Sequence, residues 1–203
     1  MKFVLFVEGH TEKKAVPRFL KKWLDRQLPR PVGIQPVRFE GWAELLDDAR
    51  PHARLYLAKS DVIAVIALLD LYGPKIYPDN KRTAEDRYAW GKKWLEDRVG
   101  DQRFRAFFAV HETEAWLLSD LGLFQPAIRK TLAAKAKEPE TVDFGEPPSY
   151  LLDHIYERET GKRYKKGSSG FLVGTYDILC SALWGTHPPD PLGFIALEAR
   201  AAP

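Results

Sequence analysis

Three largely apolar runs in this sequence lead into carboxylates. Lys2 to Val7 is followed at once by Glu8, Val62 to Leu69 by Asp70, and Phe104 to Val110 by His111, Glu112, Thr113 and Glu114. One acid after a strand is ordinary, because Asp and Glu favour the first turn of the helix that comes next. Three strands delivering acids to one edge of a sheet is harder to dismiss. Converging carboxylates repel one another, so the cluster calls for a cation or for raised pKa values. Hard oxygen donors of this kind suit Mg2+ or Mn2+, not zinc.

Smaller features surround these acids. Glu12 lies four residues beyond Glu8 in the segment Glu8-Gly9-His10-Thr11-Glu12. It either faces the same site from the first helical turn or complements the helix dipole. Gly9 permits a tight turn or a close approach of backbone to a phosphate. Glu112 and Glu114 form a metal clamp only if the chain there is extended. Residues two apart share one side of a strand but diverge by about 200° on a helix. His111 reads first as a hydrogen-bonded structural residue. Lys162, Arg163, Lys165 and Lys166 crowd one short stretch, which is either a solvated loop or a salt-sensitive phosphate contact.

The acids matter only if the elements carry them to one place. Phe3 to Val7 is wholly apolar, as expected of a strand buried on both faces of a parallel sheet. Thr11 is expected to cap a helix whose face is Val16, Phe19, Leu20, Trp23 and Leu24, with Pro17 forcing a kink or a later start. A second strand is expected over Ile34 to Phe39, then a helix from Trp42 to about Ala58 that Pro51 breaks. The third strand is Val62 to Leu69. A loop with Gly73, Pro74 and Pro78 leads to a charged helix from Thr83 to Arg98, and the fourth strand is Phe104 to Val110. Helices around 126–137, 149–159 and 176–183 complete the reading.

Strands alternating with helices imply an α/β fold with a doubly wound, mostly parallel four-stranded sheet. In such sheets ligands gather at the carboxyl ends of the strands, where these acids fall. The expected division is a core over residues 1–120 and a helical C-terminal extension over 121–203, packed as one domain.

Composition narrows the class. The chain has 203 residues, 45% of them hydrophobic and 12% aromatic, enough for a real core and against global disorder. Its single cysteine, Cys180, excludes an intramolecular disulfide framework and a thiolate zinc cluster. The net charge of +3 tolerates a nucleic-acid partner without demanding one. The opening apolar run is too short for a signal peptide, and no window suits a membrane span, so a cytoplasmic protein is expected.

Val7-Glu8-Gly9-His10-Thr11-Glu12-Lys13 with Val16-Pro17-Arg18-Phe19-Leu20 resembles the opening motif of the Toprim fold in OLD-family nucleases. Asp70-Leu71-Tyr72-Gly73 and His111 to Leu118 resemble later motifs of a small stand-alone Toprim-like bacterial family that includes the effector of PARIS-type antiphage defence. The resemblance spans about residues 3 to 120, with a weaker echo at Tyr164 to Gly167. It implies a Rossmann-like Toprim core and a nuclease dependent on Mg2+ or Mn2+. Glu8 is then a general acid/base or metal ligand, with Glu12, Asp70, Glu112 and Glu114 as further ligands. Lys165 or Lys166 steadies the reacting phosphate, Lys162 and Arg163 bind nucleic acid beside them, and Gly9, Tyr72 and His111 support the site. The family's Asp-x-Asp motif keeps Asp70 but has Tyr72 at its second acidic position. That departure admits the alternative of a noncatalytic metal- or phosphate-binding module that partners an ATPase. The chain itself has no Gly-x-x-x-x-Gly-Lys-Ser/Thr motif. DNA, RNA, an ATPase and a second copy of the chain are all compatible partners; a membrane is not expected.

Overall fold

The computed structural model describes residues 1–109, 114, 118, 121–135 and 147–164. It contains β1 (Lys2–Val7), α1 (His10–Gln27), β2 (Gly33–Arg38), α2 (Trp42–Leu57), β3 (Val62–Asp70), α3 (Ala84–Val99) and β4 (Phe104–Ala109). After a 3-10 turn at Leu121–Leu123 come α4 (Pro126–Lys135) and α5 (Pro148–Thr160). The four strands form one parallel sheet in the order β2-β1-β3-β4, flanked by helices. This is the α/β architecture that the Toprim resemblance implied, with the sheet wholly parallel.

Burial explains the strand sequences. From Phe3 to Val7 and from Val62 to Leu69 every residue is buried, so no polar side chain interrupts either run. Edge strand β2 is only half-buried along most of its length and tolerates Pro36, whose missing N–H would break a ladder in the sheet interior. The helices cover the sheet with narrow apolar stripes. On α2 the stripe is Leu45, Leu46, Ala49, Ala53 and Leu57, and on α3 it is Gly91, Leu95 and Val99.

The prolines did less than their local preference suggested. Helix α1 begins at His10 with Gly9 as its N-cap, so Thr11 does not cap it, and the helix runs through Pro17. Likewise α2 runs unbroken through Pro51. Each proline removes one helical hydrogen bond, but the buried stripes on either side of it must face the same sheet. Packing outweighs the local penalty. Thr83 caps α3, its hydroxyl accepting the Asp86 N–H at 3.1 Å.

The described residues divide into two compact units at Phe108 and Ala109. The first holds the sheet and a core that includes Val4, Phe6, Leu45, Val65, Leu69, Leu95 and Phe104. The second has its own cluster of Leu118, Phe124, Ile128, Leu132, Leu151, Leu152 and Ile155, which joins α4 to α5. Helix α5 ends at Gly161, whose φ of +66° is a left-handed conformation that glycine adopts without penalty. The helix expected around 176–183, together with Cys180, lies outside the described residues. Among the described residues, no helix is long and apolar enough to cross a membrane.

Candidate metal centre at the β1–β3 switch point

The order β2-β1-β3-β4 creates a topological switch point. The chain leaves β1 toward β2 on one side, then returns past β1 to β3 and continues outward to β4. At such a point the connections diverge and open a crevice beyond the strand ends. Val7 pairs with Leu68 in the β1–β3 register, so Glu8 and Asp70 emerge at this crevice on adjacent strands.

Strand β1 stops one residue before Glu8, while β3 continues through Asp70. At the end of β3 the Glu8 side chain acts as an acceptor: its Oε1 accepts the Asp70 N–H at 2.9 Å. Both residues are half-buried. The bond holds the Glu8 carboxylate at the root of Asp70, and a carboxylate has lone pairs to spare after accepting one hydrogen.

The backbone of Glu8 is held from the other side. Phe39 N donates to Val7 O at 2.9 Å and Gly41 N to Glu8 O at 3.2 Å. Gly41 has φ of +98° and ψ of 177°, a conformation open essentially to glycine alone. Trp42 then begins α2 and leans over Gly73 of the β3–α3 loop. A Cβ on Gly73 would lie 3.0 Å from Trp42 Cδ1 and 3.7 Å from Glu8 Oε2. The absent side chain of Gly73 thus keeps a small space open against the second oxygen of Glu8.

Glu12 occupies the first turn of α1 and is buried, at 7% exposure. Its carboxylate folds back over Gly9, where an added Cβ would lie 2.4 Å from Oε2. Gly9 therefore serves close approach, not backbone strain, since its φ of −136° is open to any residue. Tyr77, farther along the β3–α3 loop, feels the same site. Burial pushes its hydroxyl pKa well above the ordinary tyrosine value, and the Glu8 charge raises it further while Arg87 opposes.

The remaining candidates divide as follows. Glu114 belongs to the second unit, where it is helical and 1% exposed. The extended-strand condition for a Glu112–Glu114 clamp is thus not met at Glu114, because helix has already begun there. Lys162 and Arg163 are exposed just after α5, with Arg163 Nε 3.9 Å from Asp153 Oδ2. Tyr72 is half-buried. His111, Glu112, Lys165 and Lys166 lie outside the described residues. Among the described residues, no group of three or more His, Cys, Asp or Glu side chains is arranged to hold a metal ion.

Gly41, Trp42 and Tyr77 were not singled out for this site from sequence. A signal existed for the first two: they follow β2 at the same carboxyl edge as the acids. Tyr77 had none, because its position depends on how the loop returns.

Comparison with known proteins adds the family. Residues 7–176 match the family described as a domain of unknown function, DUF4276. This chain belongs to the DUF4276 family. Among solved structures, this DUF4276 chain is similar to the C-terminal region of the Xanthomonas campestris pv. campestris OLD protein. Identity is 16% over 98% of this chain and 94% of that one, with a TM-score of 0.48. It is also similar to the C-terminal region of the Burkholderia pseudomallei OLD protein, at 15% identity over 89% of this chain and 98% of that one, with a TM-score of 0.41. No curated protein matches the sequence.

Proposed function

We propose that this chain is a nuclease that hydrolyses nucleic-acid phosphodiesters with a divalent metal ion held by Glu8 and Asp70. The observation that carries the reading is the Glu8 carboxylate seated on the Asp70 N–H, 2.9 Å away, at the β1–β3 switch point. A protein that needed only a strand terminus there could use any acceptor. Two carboxylates on adjacent strand ends instead repel each other and invite a cation.

The residues fit such an ion. Mg2+ is commonly held by one or two carboxylates, with water and substrate phosphates completing its shell. Glu8 and Asp70 meet that requirement with hard oxygen donors, and Tyr72 in place of a second aspartate leaves it intact. Glu12 is a further donor under this reading; Glu112 and Glu114 enter it through the motif resemblance alone, and not as an extended-strand clamp. The ion would activate water and offset charge on the reacting oxygens.

The protein's own groups do the rest. The Asp70 backbone N–H orients the Glu8 carboxylate without an ion, and Glu8 and Asp70 would together hold the ion when it binds. Glu8 Oε2, on the Gly73 side, is the atom proposed to take the proton from the attacking water. Lys165 or Lys166 offsets charge that develops on the phosphate, and Lys162 and Arg163 hold flanking phosphates. The effector role in bacterial defence belongs to this proposal too, on the motif resemblance alone.

Tyr72 favours one other reading, a noncatalytic metal- or phosphate-binding module that acts beside an ATPase. The experiment that separates them incubates plasmid DNA, single-stranded DNA and total RNA with the protein in Mg2+, Mn2+ or EDTA, beside Glu8→Gln. Metal-dependent cleavage that disappears in the variant supports the nuclease. Metal binding without cleavage, with an ATPase partner retained by Glu8→Ala, supports the module.

A further inference from the structure

An alternating ladder of cations and rings lies along one flank of α3. The guanidinium of Arg87 sits 5.4 Å from the centre of the Tyr77 ring. Tyr77 meets Trp90 edge-on at 5.9 Å, and Trp90 stacks on Trp94 at 5.8 Å with 18° between the planes. Arg98 closes the series, 5.2 Å from the Trp94 ring. Arg87, Trp90, Trp94 and Arg98 recur at spacings of three and four, so they share one helix flank. It is not the flank α3 buries, which carries Gly91, Leu95 and Val99. Trp90 and Trp94 are half-buried, Trp94 packing in part against the core, so a portion of each ring stays open to solvent.

We propose that this Arg87–Tyr77–Trp90–Trp94–Arg98 ladder is a docking track for an unpaired nucleic-acid strand, leading it to the carboxylates at the end of β3. The inference deepens the nuclease reading, and rests on it for the strand's destination. Indole faces accept any base by stacking, and guanidinium groups beside them neutralise phosphates, the pairing used in single-strand recognition. A duplex hides its base faces and gains only the charge term.

The geometry suits exchange. Arg98 covers one face of Trp94 but is weakly held: its side chain is 42% exposed and its ion pair to Asp47 spans 3.7 Å. An exposed pair of that length contributes little. Arg98 can therefore move to a phosphate while a base takes its place on the indole. At the other end, Tyr77 lies on the β3–α3 loop that leaves the sheet at Asp70. The Tyr77 hydroxyl is buried with no hydrogen-bond partner among the described residues, which suits it to donate to an arriving phosphate oxygen.

Tryptophan fluorescence and anisotropy titrations in EDTA test the proposal on the full chain, using oligothymidylate, oligouridylate and a duplex of equal length. Single strands are expected to quench the fluorescence and bind at least about tenfold tighter than duplex, given the usual gain from base stacking. Trp90→Leu, which keeps the helix apolar there, should weaken single-strand binding about tenfold, and Trp90→Phe should recover part of the loss. Arg87→Ala with Arg98→Ala should flatten the salt dependence, and decides the matter if Trp90→Leu fails to fold. Equal affinity for duplex and single strands, or unchanged binding in the folded variants, overturns the track. The two homopolymers report whether DNA or RNA is preferred. Glu8→Gln keeps the two readings apart, since it should bind as the natural protein does without cutting. Binding without any cleavage by the natural protein would sink the nuclease and spare the track; cleavage with unchanged binding in Trp90→Leu would do the reverse.

Discussion

Glu8 performs two tasks that can be separated. As an acceptor it satisfies the Asp70 N–H; as a carboxylate it is proposed to hold a cation. Glu8→Ala removes both, leaving the Asp70 N–H without its acceptor. It should lose about 1–3 kcal/mol of stability, read as a lower midpoint in denaturant. Glu8→Gln retains an oxygen that can accept the same hydrogen, so its stability should stay near that of the natural protein while cleavage falls about a hundredfold or more. A Gln variant as unstable as the Ala variant would mean that the charge, not the hydrogen bond, supports the fold. Gly9→Ala probes the neighbouring acid by steric means alone. Its Cβ would meet Glu12 Oε2 at 2.4 Å, so the Glu12 carboxylate must move. If Glu12 contributes to the centre, cleavage should fall in Gly9→Ala with little change in stability; unaltered cleavage would assign Glu12 to packing. Glu8 and Asp70 could be read from sequence because each follows an uninterrupted apolar run. The bond between Glu8 and Asp70 could not, because it depends on β1 ending two residues before β3 does in their paired register.

At the scale of elements, the corner between β2 and α2 is the exacting one. Gly41 combines positive φ with a hydrogen bond to the backbone of Glu8, so Gly41→Ala should cost about 1–3 kcal/mol and disturb the site together with the fold. A melting temperature unchanged by Gly41→Ala would show that the corner relaxes freely. Pro51 is the opposite case. It is exposed within an unbroken α2, so Pro51→Ala restores a helical hydrogen bond and should raise stability by about 1–3 kcal/mol; a loss would mean that the ring packs against something essential. Here local reading of the sequence failed for a physical reason. Proline preference is a property of a few residues, whereas Leu45, Leu46, Ala49, Ala53 and Leu57 must all face one sheet. Strands β1 and β3 were legible because full burial on two faces leaves an unmistakable apolar run.

For the whole molecule, buried tyrosines set an alkaline limit. Burial, with a smaller contribution from Glu96, pushes Tyr88 up to about 12 from an ordinary 10.0, and Tyr77 shifts in the same direction. The folded protein thus keeps protons that the unfolded chain releases. Stability is intact below about pH 10 and declines as the pH rises from there through about 12. Thermal melts across that range should fall less steeply in Tyr88→Phe. The order β2-β1-β3-β4 was not readable residue by residue, since pairing in a parallel sheet is chosen by crossovers and not by strand sequence. Its outcome is what sets Glu8 beside Asp70. The most direct test of that pairing is a calorimetric Mn2+ titration of the natural protein, Glu8→Gln and Asp70→Asn, each verified as folded. Saturable binding is expected in the natural protein, lost or weakened at least tenfold in both variants. Equal binding in all three would contradict a metal centre at the β1–β3 switch point.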